Sequence, residues 1–90
     1  MHNDDVLDKD VYDVNGRRVG HATLAREDAH EDLLSFDVEL EETLRALWNA
    51  PRFVTVPAND VIATDGQVTL SEDARYIVHP ELAPPASPGE

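Results

Sequence analysis

Leu34, Phe36, Val38 and Leu40 alternate with Ser35, Asp37 and Glu39, and this run constrains the fold more tightly than any other. A period of two places the apolar side chains on one face of an extended strand and the polar ones on the other. A strand that is greasy on one side needs a sheet around it and a core beneath it.

The neighbouring strands are legible from their turns. Val11–Val14 is β-prone and runs into Asn15-Gly16, the strongest short-range hairpin signal, because both turn residues tolerate positive φ. The return strand spans about Arg18 to Ala25. Its apolar residues Val19, Ala22 and Leu24 slip out of a single phase, and Gly20 at the slip predicts a β-bulge that bends the strand. Phe53–Val56 is a further strand, closed by Pro57. Val61–Thr64 and Gln67–Leu70 flank Asp65-Gly66, a second hairpin turn. Tyr76-Ile77-Val78 reads as a last short strand before Pro80. One helix interrupts the series. Leu40, Leu44, Leu47 and Trp48 share a helical face, Glu41 and Arg45 stand at the favourable i, i+4 spacing, and Pro51 ends it. No Ser, Thr, Asp or Asn caps its start.

The expected fold is therefore mainly β: a small barrel of about six short antiparallel strands with one short helix. It occupies residues 10–80, between a flexible flank at 1–9 and a disordered, Pro-rich tail at 81–90. Ninety residues make one domain that buries roughly 60–65% of its unfolded surface. Without cysteine, neither a disulfide nor a Cys-based zinc site supplements so thin a core, which leaves oligomerisation as the natural supplement.

Charge narrows the function. Nineteen acidic residues face seven basic ones, a formal charge of −12, and only Lys9 among the basic residues is lysine. Repulsion within so small a body is strong at about 0.01 M salt, where the Debye length is about 30 Å, and largely screened at 1 M, where it is about 3 Å. An acidic, lysine-poor chain thus fits a salt-loaded cytoplasm. A hyperthermophile would enrich lysine together with glutamate. Nucleic-acid binding, which needs several cations against phosphate, is not expected. No apolar run approaches a membrane span, and the acidic start Met1-His2-Asn3-Asp4-Asp5 is the opposite of a signal peptide, so a cytoplasmic location is expected.

No catalytic, cofactor-binding or metal-ligating set is expected. His2, His21, His30 and His79 lack ligand partners at useful spacing. A calcium loop with Gly16 at its sixth position would begin at Val11 and end at Ala22, neither of which ligates calcium. Asp4, Asp5, Asp8 and Asp10 read as a solvated acidic flank, with weak cation binding as the alternative. Ser35, Ser71 and Ser87 lie in no nucleophile motif. The remaining candidate is a protein-binding segment: Arg45, Trp48, Arg52 and Phe53 join positive charge to aromatic rings, the pairing most enriched at interface hot spots. Plugging one end of the barrel is the alternative role for Trp48 and Phe53.

The segment Val11-Tyr12-Asp13-Val14-Asn15-Gly16-Arg17-Arg18-Val19-Gly20 resembles the opening of a PRC-barrel domain. Phe53-Val54-Thr55-Val56-Pro57, Asp60-Val61 and Asp65-Gly66-Gln67-Val68-Thr69-Leu70 resemble its closing half. The resemblance spans about residues 6–79, and the insert around Leu44–Trp48 looks like a variant of haloarchaeal stand-alone members. It implies a β-barrel without catalytic residues that acts as an adaptor, in cell division beside a SepF-type division-ring anchor, with itself or a related barrel as partner. A ribosome or RNA-maturation role and a small cation- or ligand-binding barrel are the alternative readings.

The charge reading has a direct consequence. Circular dichroism should report loss of the fold on dialysis from molar to millimolar salt. Spectra unchanged across that range would refute it.

Overall fold

The computed structural model describes residues 2–82. Six strands form one curled sheet: β1 (Asp10–Tyr12), β2 (Arg18–Glu27), β3 (Leu33–Leu40), β4 (Phe53–Pro57), β5 (Val61–Ala63) and β6 (Val68–Leu70). Two short helices, α1 (Glu42–Trp48) and α2 (Ala74–Val78), complete the half-barrel. The strand order is β4-β3-β2-β1-β6-β5.

That order forces the curl. β4 and β5 lie at opposite edges, yet only the 3-10 turn Ala58–Asp60 separates them in sequence. Flat, the two edges would stand about 24 Å apart at about 4.8 Å per strand spacing. The steps from Pro57 to Val61 reach at most about 14 Å. The sheet must therefore roll until its edges approach. Bulges in β2 and β3 bend it. Val19 is the extra residue opposite β1, Thr23 the extra residue opposite β3, and Leu34 the extra residue on β3 itself. The bulge expected at Gly20 thus falls one residue earlier, at Val19. Gly20 instead permits a close approach, since a Cβ there would overlap the Glu39 carbonyl across the strand pair.

The concave face carries the core. Val11, Val19, Ala22, Phe36, Val38, Leu40, Val56, Val68 and Leu70 are buried together, closed over by Ala74, Ile77 and Val78 of α2. The alternation along β3 holds from Phe36 to Leu40. At the bulge it breaks: Leu34 is exposed and Leu33 takes the buried place.

Four expectations need correction. The strands are not all antiparallel, because β6 lies parallel to β1, with Val11 opposite Val68. The chain enters β6 from the β5 hairpin at the sheet's far edge, and that path fixes the direction. Tyr76-Ile77-Val78 is helix α2 rather than a strand, because Asp73 caps it by accepting from the Arg75 amide. The flank 1–9 is structured from Asn3, where a 3-10 turn leads Val6 fully into the core, and Asp8 and Lys9 exchange backbone bonds with Ala22. At the other end Pro80–Leu82 form a 3-10 turn, and the rest of the expected tail, 83–90, lies outside the described residues.

One buried acid joins the two ends of the domain. Asp13 is 1% exposed. Its Oδ1 accepts from the amides of Asn15 (2.9 Å) and Arg17 (2.8 Å), and its Oδ2 from the amide of Ala74 (2.9 Å) at the head of α2. The first hairpin is a three-residue loop, with Gly16 alone among its central residues at positive φ (84°). The Asn15 side chain donates to Asp73, the α2 cap, at 2.8 Å.

Asp13→Ala leaves these amides without their acceptor. Urea unfolding in molar salt should show a loss of about 2–4 kcal/mol, with Asp13→Asn keeping part of it. A change below about 0.5 kcal/mol, within the range of ordinary surface substitutions, would remove the bracing role from Asp13.

Candidate protein-binding surface

The convex face of the sheet is a ladder of opposite charges. Arg18 bridges Asp10 on β1 (2.9 Å) and Glu41 before α1 (2.6 Å). Those hydrogen bonds, to Asp10 first and then Glu41, hold the Arg18 guanidinium above its ordinary range. Arg26 forks onto both oxygens of Asp37, at 2.8 and 3.2 Å. Arg52 reaches Glu39 at 2.7 Å, with His21 3.7 Å from the same carboxylate. Glu41 therefore faces Arg18 rather than the Arg45 that stands four residues on. Its backbone N–H donates to the Val19 carbonyl, which anchors the uncapped start of α1 to β2.

The four candidate residues lie at the end of this ladder: Arg45 and Trp48 in α1, Arg52 just before β4 and Phe53 at its start. Asn49, left-handed at φ 51°, turns the chain out of α1 and lets the amides of Asn49 and Ala50 donate to the Arg45 carbonyl. Trp48 is half-buried and packs against the core. The Arg17 guanidinium lies over its ring, 5.6 Å from the centroid. Arg52 lies over Phe53 at 5.3 Å. Both distances are within cation–π range. Arg45 is turned inward. Its Nε is buried without a partner, and its charge, with those of Arg52 and His21, acts on Glu39. The structure thus brings Trp48 to Arg17 and Arg52 to Phe53, and sets Arg45 behind them. Phe53 does not plug the barrel, since it is 45% exposed. Leu47, expected on the core face of the helix, is 67% exposed and widens the patch; Leu44 is the buried residue of α1.

Sequence reasoning missed Arg17 and Leu47. Arg17 reaches Trp48 only because the first hairpin folds against α1, and no local spacing encodes that meeting. His79 was also missed as a support: its Nε2 lies 2.9 Å from the Trp48 carbonyl. A carbonyl only accepts, so this nitrogen carries the proton. Among the described residues no group of three or more His, Cys, Asp or Glu side chains converges as a metal site, and no helix is long and apolar enough to cross a membrane.

A second surface lies at the rolled edge. Thr55, Val56, Pro57, Asp60, Glu72, Tyr76, Ile77 and Pro80 line a groove of about 380 Å³ between β4 and α2. Its floor is apolar, and its only charged lining groups are two carboxylates. No family model matches the chain, and no curated protein matches it.

The ladder gives stability an acid dependence. Arg26 chiefly, helped by Thr55, holds Asp37 below its ordinary value, and Arg52 chiefly does so for Glu39. A carboxylate depressed by folding stabilises the native state fully above its unfolded pKa, about 4, and loses that contribution as pH falls through the folded value. The melting temperature in molar salt should therefore fall below about pH 4, and less steeply in Asp37→Asn and Glu39→Gln. Equal slopes in the variants and the parent would contradict the assignment.

Proposed function

We propose that this protein is a non-enzymatic adaptor of the PRC-barrel type that binds other proteins, copies of itself or a related barrel, in a high-salt cytoplasm. The observation that carries the reading is the patch built on Trp48: Arg17 over its ring, Arg52 over Phe53, and Leu47 and Phe53 open to solvent. Aromatic rings with stacked guanidinium groups hold large contact areas in fixed positions, so little side-chain freedom is lost on binding. The order of hairpin, bent second strand and closing hairpin supports the PRC-barrel assignment. The cell-division role and the SepF-type partner belong to the proposal through that resemblance.

Light scattering after size exclusion in about 2–3 M salt, where screening falls below a few ångströms, tests self-association. Capture from a salt-adapted lysate tests other partners. Leu47→Ser with Phe53→Ser changes only exposed side chains and should cut association or capture at least tenfold while leaving circular dichroism unchanged; Trp48→Ala should cut it at least as far and, because Trp48 also packs on the core, lower stability as well. A strict monomer that captures nothing would overturn the reading, as would variants that bind like the parent.

A further inference from the structure

The groove beside β4 has an open strand edge along one wall. The Leu40 amide donates to the Arg52 carbonyl, and the β3–β4 register then runs unbroken from Glu39–Phe53 to Ser35–Pro57. Antiparallel pairs alternate between hydrogen-bonded and non-bonded. Since Leu40–Arg52 is a bonded pair, Val54 and Val56 point their backbone groups at β3, while Phe53, Thr55 and Pro57 point theirs away. In this register the amides of Phe53 and Thr55 are turned away from β3, and no turn, loop or cap bond among the described residues takes them. Pro57 has no N–H to leave unpaired, the usual place for proline on an edge. Nothing in the sheet covers this row, because β4 is the last strand.

The same groove supplies charge. The carboxylates of Asp60 and Glu72 stand at the groove with no hydrogen bond or ion pair among the described residues, and no basic side chain lines it. Val56, Pro57, Tyr76, Ile77 and Pro80 form the apolar remainder. On a chain of charge −12, a second copy would bring more negative charge to this place.

We propose that this seam binds an extended, basic segment of a partner protein by strand addition to β4. The segment's backbone takes the free groups of Phe53 and Thr55, an apolar side chain enters the groove, and an adjacent Lys or Arg meets Asp60 and Glu72. Main-chain bonds give such complexes affinity, and alternate side chains give selectivity. The inference rests on the adaptor reading and names the partner chemistry of a second surface.

The probe is a six-residue peptide alternating valine and arginine, blocked at both ends, added to ¹⁵N-labelled protein in molar salt. Shifts should centre on Thr55–Pro57 and α2, and the amides of Phe53 and Thr55 should gain exchange protection. Asp60→Asn with Glu72→Gln, both surface changes that leave the fold intact, should weaken binding at least tenfold. The valine–glutamate peptide, and the valine–arginine peptide N-methylated at alternate residues, should each bind at least tenfold more weakly. Equal binding of the glutamate or methylated peptide would overturn the proposal, as would shifts confined to Trp48 and Arg17, or no binding. Protection of Phe53 and Thr55 that rises with protein concentration alone would assign the edge to a second copy instead. The Leu47, Phe53 and Trp48 experiments decide the adaptor reading separately, so failure here leaves it standing.

Discussion

The Asp13 carboxylate holds the arrangement together. Among the described residues it has no cationic partner, and burying it is costly unless hydrogen bonds replace the lost water. Three backbone amides do so, two in the first hairpin and one at the head of α2. The same group therefore shapes a local turn and ties it to a helix about sixty residues away. With α2 held there, Ala74, Ile77 and Val78 cover the concave face. With the hairpin held there, Arg17 reaches the Trp48 ring. Both the core's lid and the candidate surface descend from one acid.

The remaining shape follows from a conflict between sheet width and chain length. Six strands are too wide to stay flat when their two edges are joined by a single 3-10 turn. The bulges at Val19, Thr23 and Leu34 place the bend in the longest strands, and the missing side chain at Gly20 lets β2 and β3 approach where they turn. Closure stops short of pairing β4 with β5, and α2 lies along the gap. The groove is what remains between a rolled sheet and the helix that completes it.

How much of this was legible depended on the distance over which each feature is encoded. The strands of the β1–β2 and β5–β6 hairpins and the β3 alternation from Phe36 to Leu40 are local patterns, and they fold as their residues indicate; Leu34 does not, because the bulge that turns it outward is set by pairing with β2. The parallel β1–β6 pair is invisible locally, because it depends on where the chain has travelled by Val68. Tyr76-Ile77-Val78 has the side chains of a strand, yet Asp73 at the cap and Asp13 on the Ala74 amide favour the helix there; β-propensity yields to tertiary context. At the candidate surface, Trp48, Arg52 and Phe53 were legible because they are neighbours in sequence. Arg17 was not, since it arrives from another hairpin. Leu47 was misplaced because the i, i+7 spacing from Leu40 assumed one continuous helix, whereas Leu40 ends β3.

The placement of the scarce cations ties the fold to the proposed setting. Arg18, Arg26 and Arg52 each touch a carboxylate, while Arg17 and Arg52 lie over aromatic rings at cation–π distance. Such contacts suit a planar guanidinium better than the point charge of lysine. At molar salt, charges more than a few ångströms apart scarcely interact, so a cation is effective only in direct contact. The convex ladder and the Trp48 patch use the arginines in that way. Among the described residues the seam receives none, and Asp60 and Glu72 stay unmatched beside the edge strand β4. In a chain that places its few cations at contact range, two carboxylates left at a groove are complementary to a cation brought by something else.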